Sequence, residues 1–271
     1  GYVPLREQYD NSVSHALEYY IADFALSRFA EALGKKKDAE MFYKRSLGYK
    51  HYYSKEFGTF RPILPDGTFY SPFNPRQGEN FEPNPGFHEG SAWNYSFYVP
   101  HDVYGLAKLM GGKNPFIKKL QMVFDEGLYD PANEPDIAYA HLFSYFRGEE
   151  WRTQKETQRL LDKYFTTKPN GIPGNDDTGT MSAWAIFNMI GFYPDCPGLP
   201  EYTLTTPVFN KVTIRLDPKW YKEKELVIES NRTQPGTLYI NKVLLNGKKF
   251  NQYRITHDEL VHSQRILFDL K

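Results

Sequence analysis

Apolar residues recur at helical spacing from residue 11 to about 190 and at alternate positions from about 200 onward. Val13, Leu17, Tyr20, Ile21 and Phe24 predict a helix over 11–33, with Asn11 or Ser12 at its start and Gly34 at its stop. Leu26, Phe29 and Leu33 widen its apolar arc, as expected of a helix packed on more than one side. The next helix, 36–53, carries one apolar stripe (Ala39, Phe42, Tyr43, Leu47) opposite a face of Lys36, Lys37, Glu40, Lys44 and Arg45. A buried helix joined by a short turn to a half-wet one is an αα-hairpin. The pattern resumes over 91–97, 101–110, 115–124, 136–146, 149–165 and 181–190.

Alternating buried and half-wet helices predict an (α/α) toroid portion, with a plain bundle as the alternative. After Pro200 the runs TLTTPVF, KVTIRL, ELVIES, GTLYINKVLLNG and RILFDL read as short strands, and Asn246-Gly247 marks a hairpin turn. The expected fold is therefore mainly α, a helical toroid portion over 1–200, followed by a small β-sandwich or sheet over 201–271. Between the first two helical pairs, residues 55–88 lose periodicity and fill with Gly, Pro and Asn. Phe57, Phe60, Phe69, Tyr70, Phe73, Phe81 and Phe87 argue that this stretch is ordered, an excursion over a cleft.

Composition narrows the function classes. Thirty-three basic residues balance 33 acidic ones, so there is no electrostatic footprint for nucleic acid. No apolar run is long enough for a membrane span. A lone cysteine, Cys196, excludes an internal disulfide and any multi-cysteine metal site. Aromatics make up 17% of the chain, a feature shared by sugar-binding clefts and large cores. The chain opens Gly1-Tyr2-Val3-Pro4 with no Met and no visible signal peptide, so we expect a piece of a longer protein. Asn94-Tyr95-Ser96 and Asn231-Arg232-Thr233 match the glycosylation pattern.

Three segments place polar residues in chemically suggestive company. In PGFHEGSAWNYSFYVPHD, Glu89 lies between Phe87 and Trp93. A carboxyl held against aromatic faces stays protonated and serves as a general acid, whereas a carboxylate heading a helix serves as an N-terminal anion; the residues alone leave both open. His88 and His101 flank the segment. In DPANEPDIAYAHLF, Asn133, Glu134 and Asp136 are hard oxygen donors suited to Ca²⁺, yet acids beside Pro135 also describe an ordinary helix start. In GIPGNDDTGTMSAW (171–184), Asp176 and Asp177 sit on a turn bracketed by Gly171, Gly174 and Gly179. Two carboxylates so close are expected to raise one of the two pKa values, and a surface turn is the competing reading. No HExxH, nucleophile elbow, phosphate loop or dinucleotide fingerprint is present.

Taken together, EGSAWNYSFYVPHD (89–102), NEPDIAYAHLFSYF (133–146), GEEWRTQ (148–154) and GIPGNDDTGTMSAW (171–184) resemble glycoside hydrolase family 92, calcium-dependent exo-acting α-mannosidases of the inverting type. ALGKKKDAEMFYKRSLGYK (32–50) and GFYPDCPGLPEYTLTTPVFNKVTIRL (191–216) fit as well.

The resemblance implies Glu89 as general acid and Asp177 as base, with Asp176 supporting it or the order reversed. It implies Asn133 and Glu134 beside a Ca²⁺ site, and His88, Trp93 and Asn175 against the sugar. The substrate implied is terminal mannose of a glycan, α-1,2-linked, in N-glycan degradation. An amino-terminal β-sandwich domain completing the cleft, and a secreted, periplasmic or cell-surface location, are implied too.

An inverting enzyme needs one protonated and one ionised carboxyl roughly 6.5–9.5 Å apart. The competing classes are a non-catalytic carbohydrate-binding module and a helical-toroid glycosidase or phosphorylase for another sugar.

Overall fold

The computed structural model describes residues 1–7, 10–78, 84–234 and 236–271. They form two compact units, Gly1–Tyr139 with Cys196–Leu199 and Ala140–Asp195 with Pro200–Lys271. Strands dominate after residue 200, but compactness divides the chain elsewhere, grouping two helices with those strands.

The first unit opens with α1 (Ser12–Ala32) and α2 (Lys36–Ser46), the expected hairpin. α1 buries Val13, Ala16, Leu17, Tyr20, Ile21 and Phe24. It ends where Gly34 turns left-handed (φ 71°) and the Lys35 amide closes onto the Ala30 carbonyl at 2.8 Å. Arg45 on α2 reaches Asp23 on α1 at 3.1 Å. The helix expected over 36–53 tightens into a 3-10 segment, Leu47–Tyr52. Within it the Tyr20 ring occupies the space a side chain at Gly48 would need, 2.5 Å from an ideal Cβ, while Tyr49 and Tyr52 are fully buried in the core.

The aperiodic stretch is ordered where it is described, as expected. It contains a two-stranded hairpin, β1 (Tyr53–Ser54) and β2 (Thr59–Phe60), followed by Arg61 in a cage of aromatic faces. The Arg61 guanidinium lies 5.0 Å from the Phe57 ring centre and 5.6 Å from those of Phe69 and Phe73. Its Nε donates to the Tyr70 carbonyl at 2.7 Å. A cation enclosed by rings gathers a loop that has no apolar period of its own. Phe81 lies outside the described residues.

Three further helices complete this unit: α3 (Ala92–Tyr95), α4 (Val103–Leu109) and α5 (Lys113–Asp125). His101 packs in a largely buried position beside Phe24 and Tyr49 and bonds through Nε2 to the Ser46 carbonyl at 2.9 Å. These contacts seat it in the packing between α1 and the 3-10 segment. The helix expected over 136–146 is instead two 3-10 turns, Glu134–Asp136 and Tyr139–Tyr145.

The second unit holds α6 (Glu150–Tyr164) and α7 (Thr180–Ile190). Its strands follow in order as β3 (Phe192–Tyr193), β4 (Glu201–Leu204), β5 (Lys211–Arg215), β6 (Glu225–Arg232), β7 (Ile240–Leu245), β8 (Lys248–Phe250), β9 (Arg254–Thr256) and β10 (Arg265–Leu270). The short helix α8 (His257–Val261) lies between the last two. Sheet order is β5-β6-β10-β7-β8 and β3-β4-β9. Only β6 and β10 run parallel among the pairings described; the rest are antiparallel.

Alternate residues of β6 (Leu226, Ile228) and β10 (Ile266, Phe268, Leu270) share one core with Phe192, Leu204 and Ile255 of the smaller sheet, a small sandwich as expected. Asn246 (φ 49°) and Gly247 (φ 80°) make the hairpin turn between β7 and β8. One ion pair is sealed inside. Arg254 donates to Asp195 at 2.8 Å and to Glu201 at 3.1 Å, and the Asp195 side chain is fully buried.

Removing one partner of a buried pair strands the other charge. Arg254→Ala is expected to cost about 3–5 kcal/mol in urea denaturation, with the double change Arg254→Met, Asp195→Asn recovering most of it. A second outcome concerns acid. Burial pushes the His101 imidazole down to about 4 from its ordinary 6.5. A base that is harder to charge when folded gives stability that is present above pH 6.5 and lost as pH falls toward 4. The full loss is about 3 kcal/mol, at about 1.4 kcal/mol per pKa unit. His101→Gln, which keeps a neutral donor, should flatten that part of the stability–pH curve.

Candidate active site

Residues 86–91 are clamped against the start of α1. The Gly86 carbonyl accepts from the amides of Val13 and Ser14 at 2.9 and 3.2 Å, filling two of the helix's open N-terminal donors. The His88 amide donates to Ser14 Oγ at 2.9 Å, and Tyr95 Oη donates to the His88 carbonyl at 2.6 Å. Asn11, expected as a side-chain cap, makes no such bond; its Nδ2 lies 3.2 Å from His88 Nδ1.

Glu89 follows with a left-handed backbone, φ 49°. Phe87 and Trp93 turn inward and are buried, whereas the Glu89 side chain is 59% exposed, 3.7 Å from His88 Nε2. The expected packing of this carboxyl against aromatic faces is therefore not present. The left-handed residue swings Glu89 away from the direction its neighbours take. Nor does Glu89 cap α3. Ser91 does so, in a capping box with Asn94. Trp93 is a core residue whose carbonyl accepts from Tyr139 Oη at 3.2 Å.

The second segment meets the first. Asn133, buried at the head of the Glu134–Asp136 turn, donates through Nδ2 to the Glu89 carbonyl at 2.8 Å. Asp136 is completely buried. Its Oδ2 accepts from Asn94 Nδ2 at 2.9 Å and from the Asp130 amide at 2.7 Å, while Oδ1 has no partner. Burial raises its pKa well above the carboxylate range. Asn94 also donates to the Leu128 carbonyl at 3.0 Å, so its glycosylation pattern is occupied by structure. Sequence reading missed Asn94, although Ser91 three residues earlier announces a helix cap.

Glu134 is half-buried and heads the turn. Asn133 and Glu134 are hard oxygen donors of the kind Ca²⁺ takes, but Ca²⁺ takes about six to eight oxygens. Among the described residues there is no group of three or more His, Cys, Asp or Glu arranged for a metal. These two side chains fit as part of a calcium shell, to be completed by carbonyls, water, sugar hydroxyls or further chain.

Asn175, Asp176 and Asp177 belong to the second unit. Their turn is built from left-handed residues: Gly174 (φ 65°), Asp176 (53°), Thr178 (53°) and Gly179 (78°). Gly171 closes it, since a Cβ there would meet the Thr166 carbonyl at 2.1 Å. The two aspartates are not equivalent. Asp176 accepts from the Ser182 amide and from Ser182 Oγ, both at 2.9 Å, anchoring the turn to the first turn of α7. Those bonds hold its carboxyl below the usual range. The upward push expected from a neighbouring carboxylate is not found at Asp176. Asn175 and Asp177 are exposed, and the Asp177 main chain carries the turn onward into α7. Ser182 went unread because no local rule links it to an acid six residues earlier.

The family model for the glycosyl hydrolase family 92 catalytic domain matches residues 1–271. The chain is similar to a family 92 α-mannosidase of Bacteroides thetaiotaomicron solved with mannoimidazole, with 30% identity, a TM-score of 0.91, and coverage of 100% of this chain and 37% of that one. A family 92 inverting mannosidase of the same organism gives 31%, 0.87, 100% and 38%. An uncharacterized secreted glycosidase of Arthroderma benhamiae is 26% identical over 95% of this chain and 36% of its own length. The chain thus spans little more than a third of these relatives, and its helical-toroid portion with sheets matches theirs. It belongs to glycosyl hydrolase family 92.

Proposed function

We propose that the protein to which this chain belongs is an exo-acting, inverting α-mannosidase that removes terminal mannose from glycans, with α-1,2 linkages as the preferred class. Glu89 protonates the departing glycosidic oxygen, and Asp177 takes a proton from the attacking water. The observation that carries this reading is the sorting of the aspartates. Asp176 spends both carboxylate oxygens on Ser182, which leaves Asp177 as the exposed carboxylate on a turn fixed from within. A base on a rigid turn keeps its direction, and that is worth more to catalysis than a second mobile charge. Asp176 is accordingly a positioning residue.

Glu89 is held from below by Asn133 through its own carbonyl, so the acid's backbone and the calcium-side residues move as one piece. In this reading Asn133 and Glu134 contribute side-chain oxygens to Ca²⁺, which when bound supplies a Lewis-acid contact to sugar hydroxyls. His88 and Asn175 are exposed and placed to bind hydroxyls; Trp93, buried, supports the segment from beneath. An amino-terminal β-sandwich domain completes the pocket over Glu89 and raises its proton affinity by excluding water. Secretion, and a role in N-glycan degradation, belong to the same proposal; the first is supported by the name of the fungal relative.

In the full-length protein, Glu89→Gln should lower turnover of a natural mannoside by about 10²–10⁴-fold and spare an aryl mannoside with a good leaving group. Asp177→Asn should lower both alike. Equal loss on the two substrates in Glu89→Gln removes Glu89 as the acid. Millimolar Ca²⁺ is expected to raise the thermal midpoint, EDTA to reverse it, and Glu134→Gln to abolish the shift. Absence of any shift in the unmodified protein removes the metal assignment.

A further inference from the structure

The second unit carries two open cavities, of about 490 and about 770 Å³, that share Glu150 and Tyr253 and so lie side by side. Both volumes fall in the range of roughly 300–1,000 Å³ usual for small-molecule sites. The smaller one is aromatic, bordered by Trp151, Tyr239 and Tyr253. The larger is polar, bordered by Tyr145, Arg147, Asn251 and Gln252.

Its walls are fixed before any ligand arrives. Arg254 lies 3.9 Å over the Tyr145 ring and is neutralised by Asp195 and Glu201. Gln154 Oε1 accepts from the Ile240 amide at 3.0 Å, which ties α6 to β7 at the floor of the smaller cavity. Trp151 is 40% exposed, and the Arg152 guanidinium stacks 4.5 Å over its ring, holding the indole in place.

We propose that this groove binds a neutral oligosaccharide, the non-reacting part of a mannan or glycan chain. The groove bears both signs of charge, Arg147 and Lys271 against Glu150, with Arg254 neutralised by Asp195 and Glu201; so small an excess makes no basic patch, which argues against a polyanion such as nucleic acid. Side-chain amides at Asn251 and Gln252 match hydroxyls, and the aromatic stretch matches the apolar faces of pyranose rings. Among the described residues, Glu150 is the one carboxylate bordering these cavities, whereas the usual glycoside hydrolysis uses a pair. In this proposal the groove holds sugar rather than cleaves it.

Its place supports that role. Arg254 is pinned to Asp195, in the segment leaving the C-terminal end of α7, whereas Asp176 and Asp177 stand at its N-terminal end. Eleven helical residues separate these ends, about 16 Å at 1.5 Å per residue. The choice of sugar class rests on the mannosidase reading; the existence of a binding groove does not.

The test is affinity electrophoresis of the full-length protein through gels containing α-mannan, run beside an aryl α-mannoside assay. The unmodified protein should be retarded by mannan. Trp151→Ala and Asn251→Ala should each lose at least half of that retardation while keeping the aryl-mannoside rate and the thermal midpoint. Unmodified mobility in mannan gels, or equal retardation in both variants, overturns the groove. Loss of aryl-mannoside hydrolysis in the unmodified protein overturns the catalytic reading alone, and retardation then still decides the groove.

Discussion

Asp136, closed off from water, fixes the geometry on which the first unit's candidate residues depend. Its Oδ2 draws in the Asn94 amide and the Asp130 main chain, and Asn94 in turn caps α3 with Ser91 and reaches the Leu128 carbonyl. Thus the helix after Glu89 and the turn that carries Asn133 and Glu134 are welded at one buried point. Asn133 adds the bond to the Glu89 carbonyl. A buried carboxylate is costly to leave partly satisfied, and its Oδ1 has no partner. What the arrangement gains is position: two chain segments 44 residues apart hold a fixed relation at Glu89.

The second unit solves the same problem with backbone shape. Left-handed residues coil the Asp176–Asp177 turn tightly enough for Asp176 to reach Ser182, and the helix amide it engages is one that would otherwise go unpaired. In both units one acidic residue, Asp136 or Asp176, is bound into the scaffold. Another, Glu89 or Asp177, stands outside it. The residues that look most alike in the sequence thus do different work, and hydrogen bonding decides which is which.

How much of this the letters disclosed depends on the range of the interaction. Helix extents follow from local period, and α1, α5, α6 and α7 lie where the spacing places them. The Asn246-Gly247 turn is equally local. The packing at Leu47–Tyr52 is not, because it sets Gly48 against Tyr20 of another helix. Glu89 between two aromatics reads as a buried acid or as the anion heading a helix, yet the structure has it exposed at a positive φ, and nothing in the letters H-E-G dictates that angle. Asp176 and Ser182 form a pair only once several left-handed residues have folded between them.

The exposure of Glu89 also says what a working acid still requires. A general acid works in surroundings that exclude water, and the structure shows Glu89 as an open side chain beside an exposed histidine. Within the proposed mechanism, that desolvation has to arrive with the sugar and with the portion of the protein beyond this third of its relatives' length. Asp177, in the role proposed for it, needs contact with water, and its exposed turn offers that. Under that proposal the base is presented by this chain's own turn, whereas the acid waits on closure around the sugar. An enzyme built that way would protonate a leaving group only when a substrate seals the site, which would tie its chemistry to occupancy.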